Sequence, residues 1–553
     1  MTICPTMHTL RVAFITLFTT GRLAAQQAAP APAPRPYRPG VDVLDYALSL
    51  DLPDSGNHIE GRAVLTVRRT ARTDTLVLDL VRLRVDSVLV DERATGFGRD
   101  SGTIRIPLPA ASSDTLTVAV RYGGPVTDGL VMRNDSAWGW TAFADNWPNR
   151  GRHWIPSVDH PSDKATVSWT VRAPSRLKVI ANGVRLGEDP VGGSNPPRTV
   201  TRWRMNEPIP VYLMVIAAAP LYEYDLGETA CGLTLVGRCV HQWVYVEPQL
   251  ADFLPGPFRS AADIVSYFGS LVGPFPYERL AHLESSTRFG GMENATAIFY
   301  PDQPFRKRTM TDGVVAHETA HQWFGDAVTE TEWSHLWLSE GFATYLAALW
   351  ARKSAGDSAF RAEMEEMRRA VLSSPIVAER PVIDTAEQNL MALLNRNSYQ
   401  KGGFVLHMLR STLGDSAFFR GLRHYYDRYR NGSALSDDFR RELEASSGTP
   451  LGWFFDQWLR RPGFPELTTS WTYDAAAKRV TLSITQAARF GRYRFPLTVD
   501  ISTAAGRRVR TRVAVSAQTN TRVTLDPPLD AAPLDLVFDP DVELLARIVS
   551  GRR

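Results

Sequence analysis

The stretch His317-Glu318-Thr319-Ala320-His321 constrains this chain more than any other. It lies in a helical pattern that begins after Thr311 and Asp312, either of which can cap the helix start. On a helix, a spacing of four brings both imidazoles onto one face, where they can hold one zinc ion, and sets Glu318 beside them to activate a water on the metal. With 11 histidines in 553 residues, a chance match to this pattern arises in roughly one such chain per hundred. Catalytic zinc usually takes three protein ligands and leaves a fourth position to water, so a third ligand must come from elsewhere. Glu340 is the best candidate. It follows His321 by nineteen residues, in Leu338-Ser339-Glu340-Gly341-Phe342, with Trp337, Leu338 and Phe342 as apolar neighbours. A carboxylate in that setting is costly unless it is paired or metal-bound.

Other ligand chemistries are excluded by composition. Three cysteines cannot supply a disulfide scaffold or a Cys-rich zinc module. Cys4 lies in a leader-like segment, and Cys231 and Cys239 flank a short segment across which a disulfide would add roughly 2.5 kcal/mol in the chain-entropy model. Charges nearly cancel, 62 Lys+Arg against 59 Asp+Glu, and no basic block could neutralise many phosphates, so nucleic acid is not an expected partner. At 44% hydrophobic and 22% charged residues, the chain reads as globular, with several cores expected at roughly 150 residues per domain.

The amino terminus carries His8 and Arg11, the apolar run Val12 to Phe18, Gly21, and Leu23-Ala24-Ala25 before Gln26. That order resembles a signal peptide covering residues 1–25. The run is too short to span a bilayer, which takes about 20 residues. Export to the periplasm or the extracellular space is therefore expected, without stable membrane insertion after leader removal. Residues 26–40, with Ala-Pro repeats from Ala29 to Pro34, read as an extended linker.

From residue 41 to 240, short alternating runs such as Ala63 to Val67 and Leu116 to Val120 indicate a β-rich domain. Residues 241–465 carry helical patterns, for example Trp333 to Arg352 and Phe404 to Leu413. The string Gly-Asp-Ser-Ala-Phe at Gly356 and again at Gly414 reads as a helix stop at Gly followed by an Asp or Ser N-cap. After Pro462-Gly463-Phe464-Pro465, alternation returns, and residues 466–553 are expected to form a small β-sandwich.

Further stretches join the zinc motif: Gly290-Gly291-Met292-Glu293-Asn294 ahead of it, Gln322-Trp323-Phe324-Gly325 directly after it, and Tyr399-Gln400-Lys401-Gly402 downstream. Trp154-Ile155-Pro156 with Asp159, Pro161 and Lys164-Ala165-Thr166 adds a match in the first domain. With Glu340 at the same spacing, these resemble the gluzincin family of zinc aminopeptidases typified by aminopeptidase N and leukotriene hydrolase. The resemblance implies a multidomain α+β fold: an N-terminal β-saddle, a thermolysin-like, mostly α catalytic domain and a C-terminal β-sandwich. The large helical domain that many relatives carry is not expected here.

The resemblance also implies roles. His317, His321 and Glu340 would hold one zinc per chain, Glu318 would be the general base, and Tyr399 would donate to the oxyanion. Glu293 would bind the free α-ammonium of a peptide, while Gly290, Gly291 and Met292 would lie along the substrate and Phe289 would line the first side-chain pocket. Relatives place a second amine anchor five residues before Arg152; Trp147 stands there instead, and Asp145 or Asn146 could substitute. His153 with Asp159 and His160 comes nearest to a second metal site, yet a structural role is preferred; Trp453-Phe454-Phe455 with Trp458 reads as packing. The expected function is an exported aminopeptidase acting on peptides with a free N-terminus, its oligomeric state undetermined by sequence. Its rivals are a catalytically silent scaffold of the same fold and an epoxide hydrolase on the same site.

Overall fold

The structure, a computed structural model, describes residues 37–110, 113–135, 138–229, 239–526, 528–529 and 531–551. The leader, most of the linker, and Cys231 of the expected disulfide lie outside them.

Alternation in the first domain produces sheets. Along His58–Arg69, every second residue from Ile59 to Val67 is buried, which gives the strand one core face. That strand pairs antiparallel with Val41–Asp51, from Val41 opposite Arg69 to Asp51 opposite Glu60. Val41–Asp51 in turn runs parallel to Lys164–Pro174. These strands form the centre of an eight-stranded sheet. A second, four-stranded sheet contains Leu130–Asp135, Gly139–Ala144, Lys178–Ala181 and Ile216–Ala219.

The expected division at residue 240 falls inside a strand pair. Tyr222–Glu228 pairs antiparallel with His241–Val246, and the same sheet continues in parallel through Arg279–Ser285 and Ala297–Pro301. The last two strands sit in the segment read as helical. Every residue of Arg279–Ser285 is buried, so the strand lacks the alternation that reveals a half-buried one; parallel strands covered on both faces behave this way.

Helices dominate from Asp312 to Leu459. The two Gly-Asp-Ser-Ala-Phe strings do stop helices, since Gly356 and Gly414 follow Ala355 and Leu413 with positive φ. Their aspartates do not cap the next helix. Asp357 and Asp415 are its first residues and bind back to the preceding helix, accepting from Arg352 Nε at 2.6 Å and Arg410 Nε at 2.7 Å. Nor does a side chain cap the zinc-motif helix Asp312–His321. Asp312 instead accepts the Trp350 indole N–H at 3.2 Å.

The chain closes with two sheets, one of four strands (Glu466–Asp474, Arg479–Gln486, Asn520–Thr524, Arg547–Ser550) and one of three (Phe495–Thr503, Arg508–Val515, Pro533–Phe538). They dock through Gln457, whose amide donates to the Arg494 carbonyl at 3.0 Å and accepts the Arg494 N–H at 2.9 Å. Trp458 packs against Tyr493 with ring centroids 5.0 Å apart.

Two buried histidines, His282 and His407, lie outside the zinc motif's ligand group. His282 faces the Tyr300 hydroxyl at 2.9 Å, and His407 faces the Tyr345 hydroxyl at 3.3 Å. Burial pushes both imidazoles down from 6.5 to about 3. Between those values the unfolded chain binds protons that the folded chain does not, so stability falls as pH drops below 6.5. At pH 5 each group should cost about 2 kcal/mol. Urea midpoints at pH 7.5 and 5.0 measure the loss. The gap between them should narrow in His282→Gln, and an unchanged gap contradicts the assignment.

Candidate active site

Helix Asp312–His321, the long helix Trp337–Ala355 and the π-helical turn Asn397–Lys401 converge on one point. Close backbone approach makes this possible. A Cβ on Gly341 would lie 2.9 Å from the Gly402 backbone, so helix Gly402–Leu413 can press against helix Trp337–Ala355 only where both carry glycine. The contact occurs one residue from Glu340 and three from Tyr399. Accordingly the Tyr399 hydroxyl donates to Glu340 Oε1 at 2.7 Å, and the Tyr399 ring lies nearly parallel to that of His317.

His317 Nε2 and His321 Nε2 stand 3.2 Å apart, and Glu340 Oε2 lies 3.5 Å and 3.4 Å from them. Zinc at about 2.0–2.2 Å from tetrahedral nitrogen and oxygen ligands requires ligand–ligand edges of roughly 3.3 Å, and the three atoms match one such face. Glu340 is buried, and its Oε2 accepts no hydrogen bond. Such an oxygen, with two ring nitrogens turned to it, fits a divalent cation. Behind the face, His321 Nδ1 meets the Phe324 carbonyl at 3.2 Å and the Ser339 hydroxyl at 3.0 Å. Both can accept the Nδ1 proton, which leaves the Nε2 lone pair for the metal. Burial pushes the Glu340 carboxyl up, yet the two imidazoles beside it hold it below its ordinary value.

Glu318 and Glu293 flank this face. Their carboxylates and His321 offer atoms within 4.8 Å of one another. Burial raises both carboxyls, Glu318 well above its ordinary value; the neighbouring carboxylates add to the rise and His321 opposes it. A Cβ on Gly291 would sit 1.9 Å from Glu318 Oε1, so glycine there is a condition of the Glu318 position. The loop itself is pinned by Gln322. Its amide donates to the Glu293 carbonyl at 2.7 Å and accepts the Thr296 N–H at 2.9 Å. Asn182 and Gly183, from the first domain, bind the Ala295 carbonyl and the Thr296 hydroxyl from the other side. Sequence reasoning matched Gln322 without giving it a task.

A cavity of about 780 Å³ opens on this cluster, lined by Phe289, Gly290, Gly291, Glu293, His317, Glu318, His321, Glu340 and Tyr399. Clefts of similar or larger volume, about 790 Å³ around Trp138 and Trp140 and about 1130 Å³ around Arg69 to Asp74, bring together no such donor set among the described residues. Chemistry singles out the site; volume does not. Met292 departs from expectation, because it is buried away from the cavity lining and its N–H and C=O are both tied to Phe299. The second amine anchor expected at Asp145 or Asn146 does not form. Trp147 is buried and packs edge-on against Phe289 and Trp333. Asn146 spends its side chain on Trp154, Val211 and Met214, and Asp145 is held by Arg150 at 2.6 Å and Arg288 at 3.3 Å. Neither is left for an ammonium.

His160 binds Ser162 and stacks on Tyr37, while Asp159 pairs with Arg152 at 3.1 Å. No metal-ligand group forms there among the described residues. Asp326 and Glu330, which sequence reasoning did not single out, are buried with all four carboxylate oxygens unpartnered. No local sequence signal marks Glu330, whose burial arises from the short parallel pair Val328–Glu330 with Gly432–Ala434.

Residues 262–458 match the peptidase family M1 domain, and residues 43–213 match the peptidase M1 N-terminal domain. Similar curated proteins include an aminopeptidase N of Streptomyces lividans, 28% identical over 81% of this chain and 53% of that protein. A probable aminopeptidase 2 of Sulfurisphaera tokodaii is 26% identical over 71% of this chain and 51% of that protein. The chain thus spans about half the length of the curated relatives it matches. Among solved structures, an M1 zinc metallopeptidase from Deinococcus radiodurans is 26% identical with a TM-score of 0.65, covering 74% of this chain and 91% of that one. Legionella pneumophila aminopeptidase A, solved with aspartic acid, shares the fold at a TM-score of 0.81 and 17% identity, over 92% of this chain and 60% of that one. With both M1 domains in sequence and the fold of the M1 zinc metallopeptidases, this chain belongs to the M1 peptidase family.

Proposed function

We propose that the chain is an exported zinc aminopeptidase that removes N-terminal residues from peptides. The observation that carries this reading is the placement of three buried or half-buried ligand atoms on one tetrahedral face, 3.2 to 3.5 Å apart, with two buried carboxylates beside them on one cavity. One zinc per chain would be held by His317, His321 and Glu340. Bound there, zinc supplies a Lewis acid that polarises the scissile carbonyl and acidifies a water.

The remaining work falls to the chain's own residues. Glu318 takes the proton from the attacking water and passes it to the leaving amine, a task suited to a carboxyl whose pKa burial has raised. The Tyr399 hydroxyl borders the ligand face through Glu340, and it can exchange that bond for one to the developing oxyanion. Glu293 is buried and pairs with no Lys or Arg among the described residues. A substrate ammonium would relieve it, fixing the first peptide bond over the metal. The leader-like segment at residues 1–25 supports export to the periplasm or beyond.

The zinc assignment is checked by elemental analysis. Glu340→Ala should lose the metal, and full zinc in that variant contradicts the ligand set. Glu318→Gln should keep zinc and lose roughly 10²- to 10⁴-fold in kcat, and Tyr399→Phe roughly 10²- to 10³-fold. Gly291→Ala should also keep zinc but lose activity, because the new methyl displaces the Glu318 carboxylate.

The amine requirement is checked by comparing an aminoacyl anilide with its N-acetyl form and by following a decapeptide by mass spectrometry. Stepwise loss from the N-terminus is expected. Acetylated substrate cleaved at a similar rate, or internal cuts, would refute an exopeptidase, and no turnover by zinc-loaded protein would favour a silent scaffold. N-terminal sequencing of protein from its native source should find a start near Gln26.

A further inference from the structure

The cavity has a further charged group. Besides the ligand face, its lining takes in Ala347 and Ala351 of helix Trp337–Ala355 and Arg396 at the start of the Tyr399 turn. Among the described residues, Arg396 is the one Lys or Arg in that lining. It is exposed and makes no ion pair or side-chain hydrogen bond among the described residues. Arg396 and Tyr399 line the same cavity.

Contacts already described tie Glu293 to the ligand face: Glu293 lies beside His321, His321 faces His317 one helical turn away, and His317 stacks on Tyr399. The one cavity therefore holds a carboxylate that favours an ammonium, the ligand face and an unpaired guanidinium. Resting on the aminopeptidase reading, we propose that Arg396 binds the C-terminal carboxylate of the substrate, and that the preferred substrates are short peptides with both termini free. A guanidinium can take a carboxylate through two parallel hydrogen bonds, a geometry no neutral amide reproduces. A cavity of about 780 Å³ lies in the range that encloses a small ligand rather than a folded chain.

The rival influence in the cavity is acidic. Glu363 and Glu366 line the same wall from helix Asp357–Leu372. Glu366 is held by Arg369 at 2.7 Å, and Asp312 by the Trp350 indole, which leaves Glu363 to oppose a substrate carboxylate. If Glu363 prevailed over Arg396, amidated or basic C-termini would be preferred.

The test compares trialanine with its C-terminal amide on zinc-loaded protein. The free acid should be favoured by about tenfold or more in kcat/KM, the gain lying in KM. In Arg396→Ala that ratio should fall to about one, and in Arg396→Glu it should invert. Equal rates for acid and amide in the wild type, a preference for the amide, or a ratio that survives Arg396→Ala would each overturn the proposal. An aminoacyl anilide assayed alongside separates the two claims: turnover of the anilide without acid-over-amide discrimination sinks the Arg396 assignment alone. If neither the anilide nor the peptides are cleaved, the aminopeptidase reading falls. Calorimetric titration of both tripeptides into zinc-loaded Glu318→Gln protein then decides Arg396 by binding, with tighter binding of the acid supporting it and equal binding refuting it.

Discussion

A carboxylate oxygen buried between two imidazole nitrogens is the interaction on which the rest of this structure depends. Glu340 Oε2 accepts no hydrogen bond and lies within 3.5 Å of both His317 Nε2 and His321 Nε2. Such a group is tolerated in a protein interior only with a cation or a proton nearby. The helix that carries the histidines and the helix that carries Glu340 must therefore be held in register to within a fraction of an ångström. Aromatic packing and glycine contacts supply that rigidity: Phe324 lies 4.4 Å from Phe342 between ring centroids, and Gly341 meets Gly402 backbone to backbone.

The first domain takes part in this support. Its Asn182 and Gly183 hold the loop that carries Glu293, and Lys164 donates to the carbonyls of Asp326 and Ala327, just beyond the zinc-motif helix, and of Gly432 in the strand Gly432–Ala434. Three carbonyl acceptors around Nζ call for three N–H donors, which argues for a charged ammonium even though burial pulls the Lys164 pKa down to about 7. The β-rich domain thus fixes the catalytic loop from behind, while the long helix and the Tyr399 turn shape the cavity in front.

Much of this was legible in the sequence because it is local. A spacing of four on a helix brings His317 and His321 together whatever surrounds them, and an acidic residue among Trp337, Leu338 and Phe342 advertises its need for a partner. What was not legible depends on tertiary contact. Strands such as Arg279–Ser285 are buried on both faces and carry no alternation, so the sheet they complete was assigned to helix. Met292 was taken for a substrate contact, but its backbone serves the bridge to Phe299. The aspartates after Gly356 and Gly414 looked like caps, and arginines one turn back claimed them instead. Asp145 and Asn146 could not be ranked until their partners were visible, and Arg396 gains meaning only from the cavity it lines.

X-ray absorption at the zinc edge of the purified, mature protein tests the central claim most directly. The account predicts one zinc per chain in a site of two imidazole nitrogens and light oxygen ligands at about 2.0–2.2 Å, with no sulfur. A spectrum with sulfur or a third imidazole in the first coordination sphere, or protein that takes up no zinc, would contradict it.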